Sequence, residues 1–88
     1  MKIYELKPQD GHKSFYGKAD VLVYEDGTEM LRSYGTIVAI REPDGTILRS
    51  WDGWSATTGR HIAAFCGLNK KQYLSIPCMP NHVGIEIM

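Results

Sequence analysis

Between residues 19 and 51 the chain alternates β-prone runs with Asp-Gly pairs. Two segments echo each other, DGTEMLRSY at 26–34 and DGTILRSW at 44–51. An Asp-Gly pair between β-prone runs is a strong hairpin signal. The pattern therefore predicts two consecutive hairpins, which together form a four-stranded antiparallel meander. Its strands are expected at 19–25, 29–34, 36–41 and 46–51.

The third predicted strand has a simple alternation. Because successive side chains of a strand point to opposite faces, Val38 and Ile40 are expected on one face. Ile37 and Ala39 are expected on the other face.

One main helix is predicted after the last strand of the meander. Ser55 can cap its first turn, and Gly67 suits the left-handed position after a helix end. Gly59 in the first turn costs about 1 kcal/mol relative to Ala, which indicates the close approach of a neighbouring element or a frayed start. Asn69 can cap a shorter helical turn over residues 70–74.

Both ends of the chain alternate like short strands, at residues 2–6 and 83–88. These segments either pair with each other or flank the meander. Residues 7–18 have the composition of a loop. The predicted fold class is α+β: a four-stranded antiparallel meander with one main α-helix packed on the sheet, plus short terminal strands.

Length and charge narrow the class of protein. The chain has 88 residues, which suffice for one small domain over 1–88 and not for a second core. Ten Lys plus Arg balance ten Asp plus Glu. A neutral chain argues against a dedicated nucleic-acid binder and against an electrostatic membrane anchor. Small neutral domains often gain stability by self-association, so a homodimer is an open alternative.

The sequence favours a cytoplasmic location. It contains no apolar run of about 18 residues and no hydrophobic core of a signal peptide. Its two cysteines, Cys66 and Cys78, do not form a CxxC motif. A small secreted domain would normally carry more cysteines, so we expect reduced thiols.

Four residues have the chemistry of zinc ligands: His61, Cys66, Cys78 and His82. Residues five apart on a helix diverge by about 140°, so the first two are poorly spaced for one ion. Each cysteine could also pair with a histidine as nucleophile and base, but no orienting group or oxyanion hole accompanies them. We therefore expect no enzyme, metal or other cofactor, and we keep a small zinc-stabilised domain as an alternative.

A second alternative is a nucleic-acid-binding accessory factor. The basic and aromatic residues that could contact phosphates or stack on bases are Arg60, His61, Lys70, Lys71, Trp51, Trp54 and Tyr73. Trp and Arg are equally typical of protein–protein hot spots. The residues that we expect to contact a partner are Trp54, Arg60 and His61.

Two segments carry a resemblance to a known family: SYGTIVA at 33–39 and GWSATTGRHIAAF at 53–65. They are similar to the "SYxTxVA" strand and the "GWYSxTTxRHIxxF"-like helix start of small uncharacterised proteins encoded by bacteriophages and other mobile elements. The resemblance implies no known activity. Small neutral phage proteins often act by occupying a surface of a host protein, such as a defence nuclease. We therefore predict a non-enzymatic protein-interaction module whose partner is a host or phage protein.

Overall fold

The computed structural model describes residues 1–8, 15 and 17–78, which form an antiparallel five-stranded sheet and two helices. The strands, which follow chain order across the sheet, are β1 (Lys2–Glu5), β2 (Ala19–Val23), β3 (Glu29–Ser33), β4 (Thr36–Arg41) and β5 (Ile47–Arg49). The helices are α1 (Ala56–Cys66) and α2 (Lys70–Leu74). The predicted α+β class is confirmed.

The N-terminal strand belongs to the sheet. β1 pairs antiparallel with β2, so the meander has five strands rather than four. At the other edge, Cys78 makes an isolated parallel bridge with Arg49 of β5. The predicted strand at 83–88 lies outside the described residues.

The two Asp-Gly turns have the same hydrogen bonds. The Gly27 N–H donates to the carbonyl three residues earlier at 3.0 Å, and the Gly45 N–H does so at 2.8 Å. Both glycines are left-handed, with φ of 95° and 93°. Asp26 and Asp44 each accept the N–H of the threonine two residues on, and this bond lowers the pKa of both carboxyls. The sequence echo is therefore one turn geometry used twice.

A β-bulge interrupts β4. Leu31 of β3 pairs with Ala39, whereas its neighbour Arg32 pairs with Ile37, so Val38 is an extra residue. Val38 and Ala39 both belong to the core cluster. The predicted alternation along this strand is wrong at that point, because a bulge places two consecutive side chains on one face.

The core lies between one face of the sheet and the helices. Its buried members are Leu6, Phe15, Ala19, Val21, Leu31, Val38, Ala39, Ile62, Phe65 and Tyr73. Arg41 of β4 donates to the Phe65 carbonyl, and its guanidinium lies 4.3 Å from the centre of the Phe65 ring. A cation at the carboxyl end of a helix also complements the helix dipole. Arg41 thus fastens the end of α1 to the sheet.

Two buried side chains hold α2 in place. The Tyr73 hydroxyl lies 2.8 Å from the Val38 carbonyl oxygen and 3.0 Å from that of Trp51, and burial raises the pKa of Tyr73 to about 12. Arg49 donates to the carbonyls of Trp51 and Ile76, both at 3.0 Å. These bonds join β5, the segment after it and α2 into one packed unit.

Candidate functional site

Two Trp–Gly contacts organise the segment that leads into α1. A Cβ atom built on Gly53 would lie 2.7 Å from Cζ2 of Trp51, and one on Gly59 would lie 2.3 Å from Cζ2 of Trp54. Each glycine therefore lets an indole ring lie directly on the backbone. Of the two explanations for Gly59, a close approach and a frayed helix start, the structure supports the close approach, which is made by the Trp54 ring. The Trp54 ring also packs 5.8 Å from the ring of Tyr73.

Helix α1 begins and ends at the predicted caps. The Ser55 hydroxyl accepts the N–H of Thr58 at 3.1 Å. Gly67 follows the last turn with φ of 77°, and its N–H donates to the Ala63 carbonyl at 2.8 Å. The Asn69 cap of α2 is confirmed as well, since its side chain accepts the N–H of Gln72. The capped first turn of α1 leaves Thr58 and His61 facing the end of β3.

A buried hydrogen-bond network links α1 to that strand end. The Ser33 hydroxyl lies 3.0 Å from Oγ1 of Thr58 and 2.8 Å from Nδ1 of His61. The three residues are 2%, 5% and 1% exposed. Desolvation lowers the pKa of His61, and the nearby charges of Arg60 and Lys18 lower it further. The neutral imidazole can accept the Ser33 proton at Nδ1 while Ser33 accepts the Thr58 proton, so each of the three groups has a partner in the network.

The hairpin between β3 and β4 places an aromatic ring above this network. Its two-residue loop, Tyr34-Gly35, has φ of 52° and 84°, as a type I′ turn requires. Among the described residues, Tyr34 alone has a positive φ without being glycine. Such a conformation costs on the order of 1 kcal/mol. The Tyr34 side chain is 54% exposed, with its ring 5.7 Å from the ring of His61 and 5.9 Å from Nζ of Lys18.

A cleft of about 360 Å³ opens between this hairpin and the start of α1. We call it the hydroxyl cleft, and it is lined by Ser33, Tyr34, Thr36, Val38, Trp51, Ser55, Thr57 and Thr58. Its lining combines aliphatic hydroxyl groups with two aromatic rings, and none of these side chains is charged at neutral pH. Such a lining offers hydrogen-bond donors and acceptors without charge. It suits a neutral polar group better than an ion.

The three residues predicted to contact a partner do not form one exposed patch. Arg60 is exposed, Trp54 is half-buried against Gly59, and His61 is buried. Adjacent helix residues point about 100° apart, which explains why Arg60 and His61 face different surroundings. The Arg60 guanidinium lies 5.7 Å from the ring of Phe15, which meets the His61 ring at 4.4 Å. The prediction that His61 contacts a partner at the surface is wrong, because its side chain is buried. Contact of Trp54 or Arg60 with a partner stays a prediction.

The zinc alternative and the cysteine–histidine pairs can be compared with the geometry in part. Within residues 1–8, 15 and 17–78, no three His, Cys, Asp or Glu side chains form a group that could hold a metal ion. His61, Cys66 and Cys78 are therefore not brought together, and His82 lies outside the described residues. Burial raises the pKa of the Cys66 thiol, which lies 3.4 Å from the Ile62 carbonyl oxygen. These conditions disfavour a thiolate nucleophile at Cys66.

The aromatic and basic residues proposed for nucleic-acid contact differ in exposure. Tyr73 is fully buried and cannot stack on a base, and His61, proposed as a basic contact, is buried as well. Lys70 and Lys71 are exposed on α2. Stacking on a base is therefore wrong for Tyr73, and a phosphate contact is wrong for His61, because both rings are used to join the helices to the sheet.

Fold and site together define a small α+β domain with an uncharged cleft at the junction of a hairpin and a helix. Residues 4–75 match the model of DUF8033, a family of unknown function, and the chain belongs to this family. No curated protein and no solved structure gives a significant match. None of the helices in the described part of the chain is long and apolar enough to cross a membrane.

Sequence patterns did not identify Ser33 and Tyr34 as site residues. One signal for Tyr34 is present, because Tyr34-Gly35 separates two β-prone runs by two residues. Two-residue hairpin loops favour type I′ turns, which need a positive φ at both positions. The pairing of Ser33 with His61 has no such signal, since the two residues are far apart in the chain and meet only in the fold.

Proposed function

We propose that this domain is a non-enzymatic protein-interaction module, and that its hydroxyl cleft receives a neutral polar segment of the partner. The observation that carries the proposal is the exposure and backbone conformation of Tyr34. Its ring is half-exposed at the lip of the cleft, although its backbone is held in a conformation that costs free energy. Exposed tyrosines beside concave sites are typical anchors of protein interfaces.

The chemistry of the cleft supports a peptide-like ligand. Its volume of about 360 Å³ lies at the small end of ligand pockets, which favours one or two residues of an extended chain over a large cofactor. Hydroxyl groups at Thr36, Ser55 and Thr57 can pair with backbone amides or with Asn, Gln, Ser and Thr side chains. The rings of Tyr34 and Trp51 supply apolar contact on the cleft walls.

Neighbouring residues have secondary roles in this proposal. His61 is a positioning residue, because it holds Ser33 through Nδ1 and packs beneath the ring of Tyr34. Arg60 and Trp54 remain candidates for contacts at the periphery.

The nature of the partner rests on the resemblance to bacteriophage and mobile-element proteins. That resemblance favours a host protein in the cytoplasm, with a defence nuclease as one example, over a small metabolite. The nucleic-acid alternative has less support, because the net charge is zero and the cleft lining is uncharged.

Affinity capture with a matched pair of variants tests the proposal. Thr57 is exposed within the cleft, whereas Thr46 is exposed in the turn between β4 and β5. Tagged wild-type protein and Thr46→Arg are expected to retain one stoichiometric protein from a host lysate, identified by mass spectrometry. Thr57→Arg fills the cleft with a charged side chain and is expected to lose that protein.

Circular dichroism and thermal melting establish that both variants are folded. Failure of wild-type protein to retain any stoichiometric partner would contradict the proposed function. Equal retention by the two arginine variants would place the binding surface outside the hydroxyl cleft.

A further inference from the structure

The edge strand β1 carries a concentration of exposed apolar side chains. Met1 is 62% exposed, Ile3 is 53% exposed and Tyr4 is 47% exposed. Ile3 and Tyr4 are neighbours in a strand and therefore point to opposite faces of the sheet. An edge strand with exposed apolar side chains is a template for pairing with a strand of another chain.

The backbone of β1 has hydrogen-bonding groups that β2 does not use. The Leu6 N–H donates to the Ala19 carbonyl at 3.0 Å, in line with the β1–β2 register. In an antiparallel ladder, hydrogen-bonded and non-hydrogen-bonded pairs alternate. Lys2 and Tyr4 therefore bond to β2, whereas the N–H and C=O groups of Ile3 and Glu5 point outward. No described strand pairs with this outer edge.

An apolar row crosses the whole sheet and ends at this edge. Its members are direct cross-strand partners on the face opposite the core: Ile3, Leu22, Met30, Ile40 and Leu48. None of them belongs to the core cluster beneath the helices. Leu22 and Ile40 are buried, whereas Ile3 is more than half exposed. The row is thus least covered where the sheet stops.

We propose that β1 pairs antiparallel with β1 of a second copy of this chain, around a two-fold axis at Ile3. In that register Ile3 lies opposite its own copy, Lys2 lies opposite Tyr4, and Met1 lies opposite Glu5. The outward groups of Ile3 then bond across the axis, and the two apolar rows join into one row over ten strands. The surface is self-complementary, as a two-fold interface requires.

Charge favours this register over its neighbours. The pairs that it forms contain no like charges, and like charges directly opposite destabilise a sheet. A two-fold axis at Glu5 would place two carboxylates against each other. An axis at Tyr4 would place Ile3 opposite Glu5 and interrupt the apolar row. The neutral chain also has no net repulsion between copies.

Self-association measured by analytical ultracentrifugation over a wide concentration range tests the dimer. The 88-residue wild-type protein is expected to reach twice the mass of one chain. Ile3→Lys places two ammonium groups together at the axis and is expected to weaken self-association more than about tenfold. Leu74→Lys is the matched control, because Leu74 is also an exposed large hydrophobic residue but lies in α2. It is expected to dimerise like the wild type.

Amide hydrogen exchange distinguishes a second copy at the outer edge of β1 from a segment of the same chain at that edge. The Ile3 amide is expected to exchange more slowly as protein concentration rises. A wild-type protein that stays monomeric at all concentrations would overturn the proposal. Concentration-independent protection of Ile3 would also overturn it, since a segment of the same chain would then occupy the edge. Unchanged dimerisation of folded Ile3→Lys would exclude this strand as the interface.

Discussion

Replacing Gly59 by Ala is expected to destabilise the domain, although Ala is the better helix former. Ala in place of Gly inside a helix normally adds about 1 kcal/mol of stability. Here the new methyl group would lie 2.3 Å from Cζ2 and 2.8 Å from Cη2 of Trp54. The indole ring must move, and it is already packed against Tyr73. Overpacking of this kind costs about 1–3 kcal/mol.

Because the clash is close and involves a large ring, we expect the upper part of that range. The net loss is then about 1–2 kcal/mol, and the thermal midpoint falls by roughly 5–15 °C for a domain of this size. Urea denaturation monitored by circular dichroism gives the free energy of unfolding.

A double-mutant cycle supplies the control for this prediction. In a Trp54→Leu background the ring is absent, and Gly59→Ala is expected to raise stability by up to about 1 kcal/mol. An increase in stability in the wild-type background would refute the packing argument. Equal effects of Gly59→Ala in both backgrounds would show that Trp54 is not the cause.

Three further predictions concern the polar contacts that hold the site. The pKa of His61 is lowered in the folded protein, so at a pH below the ordinary pKa of histidine the unfolded chain binds more protons than the folded chain. The free energy of unfolding therefore falls from about pH 7 towards pH 5. Urea titrations in a background without the other two histidines should show this fall, and His61→Gln should abolish it. If the free energy of unfolding depends on pH in the same way with and without His61, burial of a neutral imidazole is contradicted. Tyr73→Phe should cost only about 1 kcal/mol in urea denaturation, because the carbonyls of Val38 and Trp51 each keep another donor. Ser33→Ala leaves the buried Thr58 hydroxyl and His61 imidazole without their shared partner and should lower the free energy of unfolding by about 2–3 kcal/mol. A larger loss for Tyr73→Phe than for Ser33→Ala would count against the network.

The elements of this fold could be predicted where the signal is local. The Asp-Gly turns depend on a few adjacent residues, and both hairpins form as predicted. The caps Ser55, Gly67 and Asn69 are likewise local, because a cap needs only its own side chain or backbone conformation. Gly59 carried a usable signal of close approach, although the sequence alone did not identify Trp54 as the neighbour.

Features that depend on long-range packing could not be predicted in the same way. The bulge at Val38 adds one residue to a continuous apolar run, and such a run has no alternation to reveal which residue is extra. The burial of His61 depends on Ser33, which is distant in sequence, and that of Tyr73 depends on carbonyls of Val38 and Trp51. Histidine and tyrosine are also common at exposed binding surfaces, so the buried roles of His61 and Tyr73 follow only from the assembled sheet.

Amide hydrogen exchange in the captured complex tests most directly whether the hydroxyl cleft is the binding site. Ala56 and Thr57 lie in the first turn of α1, where backbone N–H groups have no acceptor within the helix, so their amides should exchange quickly in the free protein. We predict that exchange of these amides, and of the Gly35 amide between the cleft residues Tyr34 and Thr36, slows when the partner is bound. A stable complex in which these amides exchange as fast as in the free protein would contradict the proposed site.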